Sequence, residues 1–297
     1  MTTLLLDVGN TRVKWAIWDG KIGSDQQVLL SHHDHLFHRD LGRLLQIWQT
    51  LPTPSHVFGA CVAQEGVRQR IETAVKMRWG NNVYSEWFSP LAHCSGLTCD
   101  YTDPHQLGID RWLSALAAWK QSQSACLIVN IGTAMTVDAI DQNGHFLGGL
   151  IVPGIEAMRD GLFRRAPMLK RHSVSATEET TLPTAVTARF TDFPLNTDDA
   201  IEIGLWRALS GAVLEQHERL QTHIGQRCHV DIWVSGGSAQ RLTPLLPSSS
   251  TVVLDLVLQG AVWQALELHR ATSDTPSSDN TTHIPTSDTL LSAGLML

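Results

Sequence analysis

Residues 1–17 read MTTLLLDVGNTRVKWAI: an apolar run ends in an acid, passes through a glycine turn and is followed by a second apolar run. The three leucines at 4–6 are typical of a buried strand. Gly9 and Asn10 are residue types that tolerate the positive backbone dihedral angle of a tight turn. The pattern therefore predicts a β-hairpin whose tip presents backbone N–H groups.

The tip of this hairpin carries chemical groups of the kinds that can bind phosphate and a divalent metal. Thr11 has a hydroxyl and Lys14 an ammonium, beside the carboxylate of Asp7. Successive backbone amides in a turn can cradle phosphate oxygens, while a carboxylate holds a divalent cation directly or through water. An ordinary N-terminal hairpin with a solvated aspartate has the same pattern, so this stretch alone leaves both interpretations open.

A second segment, residues 127–140, repeats the pattern with the sequence LIVNIGTAMTVDAI. Asp7 aligns with Asn130 and Gly9 with Gly132, without a gap to the end of the segment. A duplication of this kind indicates two similar domains, each placing a hairpin tip against one ligand between them. Two phosphate-holding tips indicate that this ligand is a triphosphate.

Length and composition agree with two α/β domains. The chain has 297 residues, 43% hydrophobic and 17% charged, which is enough apolar material for two cores. We expect an N-terminal domain at 1–115 and a C-terminal domain at 116–270, each with a mixed sheet. Near the end, the pattern predicts a strand over 252–258 and a helix over 260–268. The Ser-, Thr-, Asp- and Pro-rich composition of 271–297 predicts a disordered tail.

Charge and cysteine content exclude several classes of function. A net charge of −7 leaves no basic excess for a nucleic-acid interface. The first apolar run is too short for a signal sequence, and no stretch approaches the length of a membrane span. Five scattered cysteines predict a reduced, cytoplasmic protein. The histidines in HHDHLFH, residues 32–38, have no partner cluster, so we interpret them as a surface loop and assign no metal site to them.

The middle of the chain contains a candidate acid–base group at a helix start. Residues 101–112 read YTDPHQLGIDRW, in which Pro104 and Gly108 keep the chain irregular up to Asp110 and Arg111. One interpretation is a structural acid that stabilises the helix N-terminus. The other is a general base beside a cation that holds an anionic substrate group. The local sequence leaves both roles open.

Several motifs together resemble one known family. They are DVGNT at 7–11, PHQLGIDR at 104–111, IGTAMTVD at 131–138, GHFLGGLIVPG at 144–154 and SGG at 235–237. Their order and spacing are similar to those of type III pantothenate kinases, in the superfamily of acetate and sugar kinases, heat-shock proteins and actin. The resemblance implies two duplicated actin-like (ribonuclease H-like) domains with mixed sheets and a nucleotide site in the cleft between them. It also implies a transferase, a cytoplasmic homodimer that phosphorylates pantothenate with ATP to 4'-phosphopantothenate, the first step of coenzyme A biosynthesis.

The resemblance further implies roles for single residues. Asp110 would be the general base, and we infer that Arg111 pairs with the carboxylate of pantothenate. Thr197, which also reads as a helix N-cap, would contact pantothenate, with the partner subunit's site as one possibility. The implied ATP-binding residues are Asp7, Val8, Gly9, Asn10, Thr11, Arg12, Val13, Lys14 and Thr133. The implied pantothenate-binding residues are Tyr101, Gly108, Ile109, Asp110, Arg111 and Thr197.

The implied cofactors are ATP with a divalent metal (Mg²⁺) and a monovalent cation (K⁺ or NH₄⁺). The family commonly has an acid at the position that opens the second tip, where this chain has Asn130. An asparagine retains a carbonyl oxygen as a ligand and lacks the negative charge. We therefore predict that activation by a monovalent cation is weak or absent.

Two other classes of function share parts of this pattern. An ATP-driven switch of the chaperone or actin type has the same nucleotide tips, but it normally needs much larger peptide-binding or polymerising modules. A non-catalytic accessory protein of the same fold, involved in expression of virulence genes, would fit the loss of the acid at Asn130. Retention of Asp7, Asp110 and Arg111 favours the kinase.

Overall fold

The computed structural model describes residues 2–24, 26–171, 193–225 and 228–273. Within these ranges the framework is a pair of mixed β-sheets, the first of five strands. Its strands are β1 (Thr3–Val8), β2 (Arg12–Ile22), β3 (Val28–Phe37), β4 (His56–Cys61) and β5 (Tyr84–Trp87). Their spatial order is β3-β2-β1-β4-β5; β2 is antiparallel to both of its neighbours, β1 and β3, and β4 and β5 run parallel to β1.

The second sheet contains the repeated hairpin. Its strands are β6 (His93–Cys94), β7 (Leu97–Cys99), β8 (Cys126–Ile131), β9 (Ala134–Ile140), β10 (His145–Pro153), β11 (Asp231–Ser235) and β12 (Ser250–Val252). The spatial order is β12-β11-β8-β9-β10-β7-β6, with β8, β9 and β10 antiparallel and β11 parallel to β8. The two sheets together confirm the predicted α/β class with mixed sheets.

Helices cover both sheets. The α-helices of the described ranges are α1 (Leu44–Ile47), α2 (Glu65–Trp79), α3 (Ile109–Ser122), α4 (Ile155–Arg165), α5 (Thr197–Ile224), α6 (Ala239–Leu242) and α7 (Leu256–Ser273). Short 3-10 turns lie at His38–Arg43, Trp48–Thr50, Pro104–Gln106, Pro167–Arg171 and Thr243–Leu245. No helix in the described part of the chain combines the length and the apolar character needed to span a membrane.

The leucines of β1 are buried on both faces of the first sheet. Leu4 and Leu6 belong to the same apolar cluster as Trp48, whereas Leu5 belongs to the cluster that contains Leu113 of α3. A strand covered on both faces is apolar at successive positions, whereas a strand with one solvated face alternates. This double burial explains the unbroken leucine run.

Helices α3 and α7 form a layer that both sheets share. The cluster around these helices includes Leu5 of β1 and Ile128 of β8. The helices touch at their backbones, because a Cβ on Gly260 of α7 would lie 1.9 Å from the carbonyl oxygen of Leu113. Glycine at this position therefore allows the crossing that joins the two sheets.

The two hairpins have the same design, but their tips differ in length. In β1–β2, Asp7 pairs with Lys14, seven residues on. In β8–β9, Asn130 pairs with Thr136, six residues on. The gapless alignment of the two segments is therefore wrong beyond the turn. In the structure Asp138 is equivalent to Ala16 of β2, one position beyond the residue with which that alignment pairs it. A shorter turn changes the register without changing the hydrophobic pattern, so the sequence pattern could not reveal it.

Two predicted elements differ from the structure. The prediction of a strand over 252–258 is wrong, since β12 ends at Val252 and α7 begins at Leu256. Asp255, at φ 54°, has left-handed backbone geometry that strands do not adopt. The prediction of a histidine-rich loop over 32–38 is also wrong, because His32, His33 and His35 lie on the exposed edge strand β3. Within the described ranges no group of three or more His, Cys, Asp or Glu residues could hold a metal ion.

The predicted domain division remains a prediction. The boundary between 115 and 116 falls inside α3, and β6 and β7, which precede it, belong to the second sheet. The predicted tail at 271–297 lies outside the described residues, apart from 271–273 at the end of α7.

Candidate active site

The tips of hairpins β1–β2 and β8–β9 face each other. Thr11 Oγ1 and Thr133 Oγ1 are 2.9 Å apart and form a hydrogen bond between the two sheets. Within each tip a glycine N–H donates to a carbonyl across the turn, at 3.1 Å for Gly9 and 2.9 Å for Gly132. Both threonines are exposed. Two hydroxyls and two amide-rich turns thus converge on one accessible point, as the repeat predicted.

The tip glycines leave open space. Neither Gly9 nor Gly132 has a positive φ, and Asn10 has none either, so the predicted left-handed turn is wrong. A Cβ on Gly132 would meet nothing within 4 Å, and one on Gly9 would meet only the Arg12 carbonyl oxygen, at 3.7 Å. The chain itself therefore does not require glycine at either tip. The space beside each backbone is a cradle that a side chain would fill, which fits phosphate oxygens held by amides.

Asp7 and Lys14 form the charged part of the first tip. They are opposite each other in the hairpin, with Lys14 Nζ 3.9 Å from Asp7 Oδ2. Asp7 is 9% exposed, and its burial raises its pKa to about 6; Lys14 opposes this rise, while the charges of Asp110 and Asp255 add to it. A poorly solvated carboxylate gains from a bound cation. One carboxylate beside substrate phosphates is also a usual environment for Mg²⁺, which fits this residue.

Asp255 is a member of the site that sequence reasoning missed. It lies just before α7 and places Oδ1 3.9 Å from Lys14 Nζ and Oδ2 3.0 Å from His33 Nδ1. The only signal in the sequence is an acid immediately before a helix, which is common. Its role depends on how the second half of the chain is placed against the first hairpin.

Asp110 lies in the first turn of α3, as predicted, but Gly108 occupies the N-cap position. Asp110 Oδ1 accepts a hydrogen bond from the backbone N–H of Arg111 at 2.9 Å. A Cβ on Gly108 would lie 2.7 Å from this oxygen, so glycine is needed for the observed carboxylate position. In the part of the chain that the structure describes, Asp110 Oδ2 makes no hydrogen bond. Burial raises the pKa of Asp110, and the N–H and charge of Arg111 act against this rise.

Arg111 is held by a buried acid that the sequence analysis did not single out, Asp138 of β9. Its Nε lies 3.0 and 3.2 Å from the two carboxylate oxygens, and its Nη2 lies 2.5 Å from Oδ1. Its Nη1 donates to the hydroxyl of Tyr101 at 3.1 Å. Asp138 is 0% and Arg111 6% exposed. Burial raises the pKa of Asp138, and the adjoining guanidinium opposes this rise.

Several of the remaining predicted residues have side chains that the protein itself occupies. Val8 and Val13 are fully buried, so only their backbone can face a ligand. The guanidinium of Arg12 packs over the ring of Phe37, 4.3 Å from its centroid. Ile109 is buried at the start of α3.

Thr197 is the first residue of α5 and is not its N-cap. Asn196 has that role, and its side chain accepts a hydrogen bond from the N–H of Asp199 at 2.9 Å. Thr197 lines an apolar groove that includes Leu162 and Leu195. No contact within the described residues joins it to the acids around the tips. The structure thus brings together the predicted groups of the two tips and α3, and leaves Thr197 elsewhere.

The glycine turn after β11 packs against the second tip. Gly236 has φ 103°, and a Cβ there would lie 2.3 Å from the carbonyl oxygen of Ile131. Ser235 is also the β11 partner of Asn130. The predicted adenosine turn is therefore adjacent to the predicted phosphate tip.

Paired glycine hairpins on two mixed sheets, with Asp7 on the first hairpin and Asp110 on the helix α3 that both sheets share, are the arrangement expected of a phosphotransferase. The family model for type III pantothenate kinase matches residues 3–219. This chain belongs to the type III pantothenate kinase family and is a kinase. The family resemblance inferred from the motifs is confirmed, and kinases of this kind use ATP with a divalent metal.

Individual relatives agree with the family assignment. A type III pantothenate kinase of Nitrosomonas eutropha is 34% identical over 263 residues, covering 86% of this chain and 91% of the relative. One of Paracidovorax citrulli is 36% identical over 279 residues, covering 91% and 100%. A solved structure from Campylobacter jejuni, described as of the Baf family of transcriptional activators, has a TM-score of 0.53 at 18% identity and covers 90% of this chain and 99% of its own. At this identity the likeness shows the fold alone.

Proposed function

We propose that this protein transfers the γ-phosphoryl group of ATP to the primary hydroxyl of pantothenate, forming 4'-phosphopantothenate for coenzyme A biosynthesis. The observation that carries the proposal is the pairing of the two tips through Thr11 and Thr133, with the carboxylate of Asp110 close enough to raise the pKa of Asp7. Phosphoryl transfer depends mainly on alignment and charge neutralisation, which two amide-rich tips and two acids can supply.

The residues of the first tip, 7–14, and Thr133 of the second bind ATP in this proposal. Asp7 would hold Mg²⁺, which neutralises charge on the phosphate oxygens when bound. Lys14 adds a positive charge beside them. The open space over Gly9 and Gly132 supports direct approach of phosphate to the backbone.

Asp110 is the proposed general base. The hydroxyl oxygen of pantothenate forms a bond to the γ-phosphorus, the bond from phosphorus to the bridging oxygen of ADP breaks, and the hydroxyl proton moves to Asp110 Oδ2. The raised pKa of Asp110 supports this role, because a base with a pKa nearer the working pH accepts a proton more effectively.

Tyr101, Gly108, Ile109 and Arg111 form the proposed pantothenate pocket. The carboxylate of pantothenate would accept hydrogen bonds from the N–H groups of Arg111 that Asp138 and Tyr101 do not use. We propose that Thr197 contacts pantothenate in the partner subunit of a cytoplasmic homodimer. The apolar groove beside Thr197, which includes the exposed Leu195, supports a covered surface there.

We also propose that monovalent cations activate this enzyme weakly or not at all. Asn130 stands at the end of β8 between Thr136 and Ser235, where it offers an amide oxygen without a negative charge. A monovalent cation at this point would lack the charge that normally favours its binding.

The test is ATP-dependent phosphorylation of pantothenate by the purified protein and by Asp110→Asn. We expect turnover in the parent and a loss of about 10²- to 10⁴-fold in the variant, since general-base catalysis contributes on that scale. Glu65→Gln, an acid in the first turn of α2, is the matched control and should keep parental activity. A parent without turnover, or Asp110→Asn with near-parental turnover, would contradict the proposal.

A further inference from the structure

We propose that Asp138 is a positioning residue that fixes the guanidinium of Arg111 for substrate binding. The inference rests on the proposed function and adds a residue to its pantothenate pocket. It concerns the contact between β9 and α3, two elements that are separate in the chain and meet only in the folded protein.

The contact constrains Arg111 completely. Asp138 accepts from Nε and Nη2, and Tyr101 Oη accepts from Nη1, so three of the five N–H groups of a guanidinium are used. One N–H on Nη1 and one on Nη2 remain for a ligand. A planar fork held along one edge has a fixed orientation, so these two donors have fixed positions as well.

The surrounding backbone is adapted to this acid. Gly149 is the β10 partner of Asp138. A Cβ on Gly149 would lie 2.5 Å from Asp138 Oδ1 and 2.1 Å from the carbonyl oxygen of Val137. Any other residue at 149 would displace the carboxylate or the strand. The neighbouring Tyr101 is held against Phe146, with ring centroids 5.9 Å apart.

Stability alone does not account for such a pair. Removing two charges from water is costly, and an apolar pair of similar size is often as stable or more stable. A buried pair beside the proposed general base is better explained by orientation: without Asp138, Arg111 would be free to change rotamer and to interact with the carboxylate of Asp110. Asp138 therefore keeps Arg111 and Asp110, which are adjacent in sequence, in separate roles.

The experiment is a double-mutant cycle read out in KM for pantothenate, KM for ATP and kcat. Its members are the parent, Asp138→Asn, Arg111→Gln and the double variant. We expect Asp138→Asn and Arg111→Gln each to raise KM for pantothenate by about 10- to 100-fold, as loss of a charge-assisted hydrogen bond predicts. KM for ATP should stay within about twofold, because the tips that hold ATP are untouched. The double variant should match Arg111→Gln within about twofold, since Asp138 acts only through Arg111.

Asp141→Asn is the matched control. Asp141 is a buried acid in the turn that follows β9, and it accepts hydrogen bonds from the N–H groups of Asn143 and His145 without touching Arg111. Its amide variant should lose stability while keeping KM for pantothenate. If Asp138→Asn does not fold, because it leaves a buried arginine unpaired, the comparison of Arg111→Gln with the double variant still decides the matter.

A double variant whose KM exceeds that of Arg111→Gln in proportion to the single effects would overturn the inference and leave the proposed function intact. An unchanged KM in a folded Asp138→Asn variant would do the same. A parent that does not phosphorylate pantothenate would overturn both proposals.

Discussion

At the first tip Asp7 stands opposite Lys14 with a buried carboxylate, whereas at the second tip the same place has Asn130 opposite Thr136. The turns differ in length by one residue, but each tip closes through a glycine N–H and each leaves open space beside that glycine. The charge of the second hairpin lies deeper, on Asp138, where it holds Arg111. The two tips thus share an open glycine turn and differ in charge, and in the proposed function the first tip holds metal and phosphate whereas the acid behind the second orients the substrate.

The strongest test of this comparison makes the first tip resemble the second. Asp7→Asn should lower kcat/KM by about 10³-fold, because it removes the only acid at the tips that is placed to hold the divalent metal among the described residues. Steady-state kinetics over a Mg²⁺ titration measure the loss. A variant that saturates with Mg²⁺ at parental activity would show that Asp7 does not hold the metal.

The same substitution should lower activity but raise the free energy of unfolding above about pH 6. Burial raises the pKa of Asp7 from 3.8 to about 6, so the folded protein binds this proton more tightly than the unfolded chain. The parent should therefore lose stability, up to about 3 kcal/mol, as pH rises from about 4 to about 6, and Asp7→Asn should not share that loss. Urea denaturation of metal-free protein at pH 4 and pH 8 measures the difference. Equal pH dependence of parent and variant would contradict it.

The glycines next to the second tip should separate function from folding. Gly132→Ala places a methyl group in open space, so its free energy of unfolding should change by less than about 1 kcal/mol while KM for ATP rises about tenfold. Gly154→Ala would put Cβ 2.1 Å from the carbonyl oxygen of Gly132 and should cost about 1–3 kcal/mol or more. Thermal unfolding and ATP kinetics on both variants measure the contrast. Equal losses of stability in the two variants would contradict the prediction.

The hydrogen bond between the tips should couple their effects. Thr11→Val and Thr133→Val should each lower kcat/KM about fivefold, and the double variant should lose less than the product of the two, because the hydroxyls are 2.9 Å apart. The coupling should be about 0.5–1 kcal/mol, as for a hydrogen bond between exposed neutral groups. Independent effects in the cycle would mean that the tips do not act as a unit.

The smallest expected effect concerns the cation. Parental activity in KCl and in NaCl should differ by less than about twofold, and Asn130→Asp should gain a severalfold, saturable response to K⁺, because the restored charge favours a bound cation. Ser235→Ala, at the β11 partner position, should remain insensitive to K⁺. Strong saturable activation of the parent would contradict the prediction for Asn130.

Much of the site could be predicted from sequence because its parts are local. The hairpin at 1–17, the glycine tips and the helix start at Asp110 each depend on residues close together in the chain. The predicted role of Thr197 as an N-cap was wrong by one residue, since Asn196 and Thr197 are both good capping residues. The positive φ expected at Gly9 was wrong because glycine occurs both where the chain needs it and where a ligand needs space.

The sequence by itself determined the α/β class, the repeated hairpin and the family, because hydrophobic period, turn chemistry and motif order are properties of the chain read in one direction. Only the tertiary structure decided which acid neutralises Arg111, which acid faces Lys14 and that Thr11 touches Thr133. These contacts join residues 27 to 241 positions apart, and no local pattern specifies them. They follow from the packing of both sheets on α3 and α7, which places remote side chains within hydrogen-bond distance.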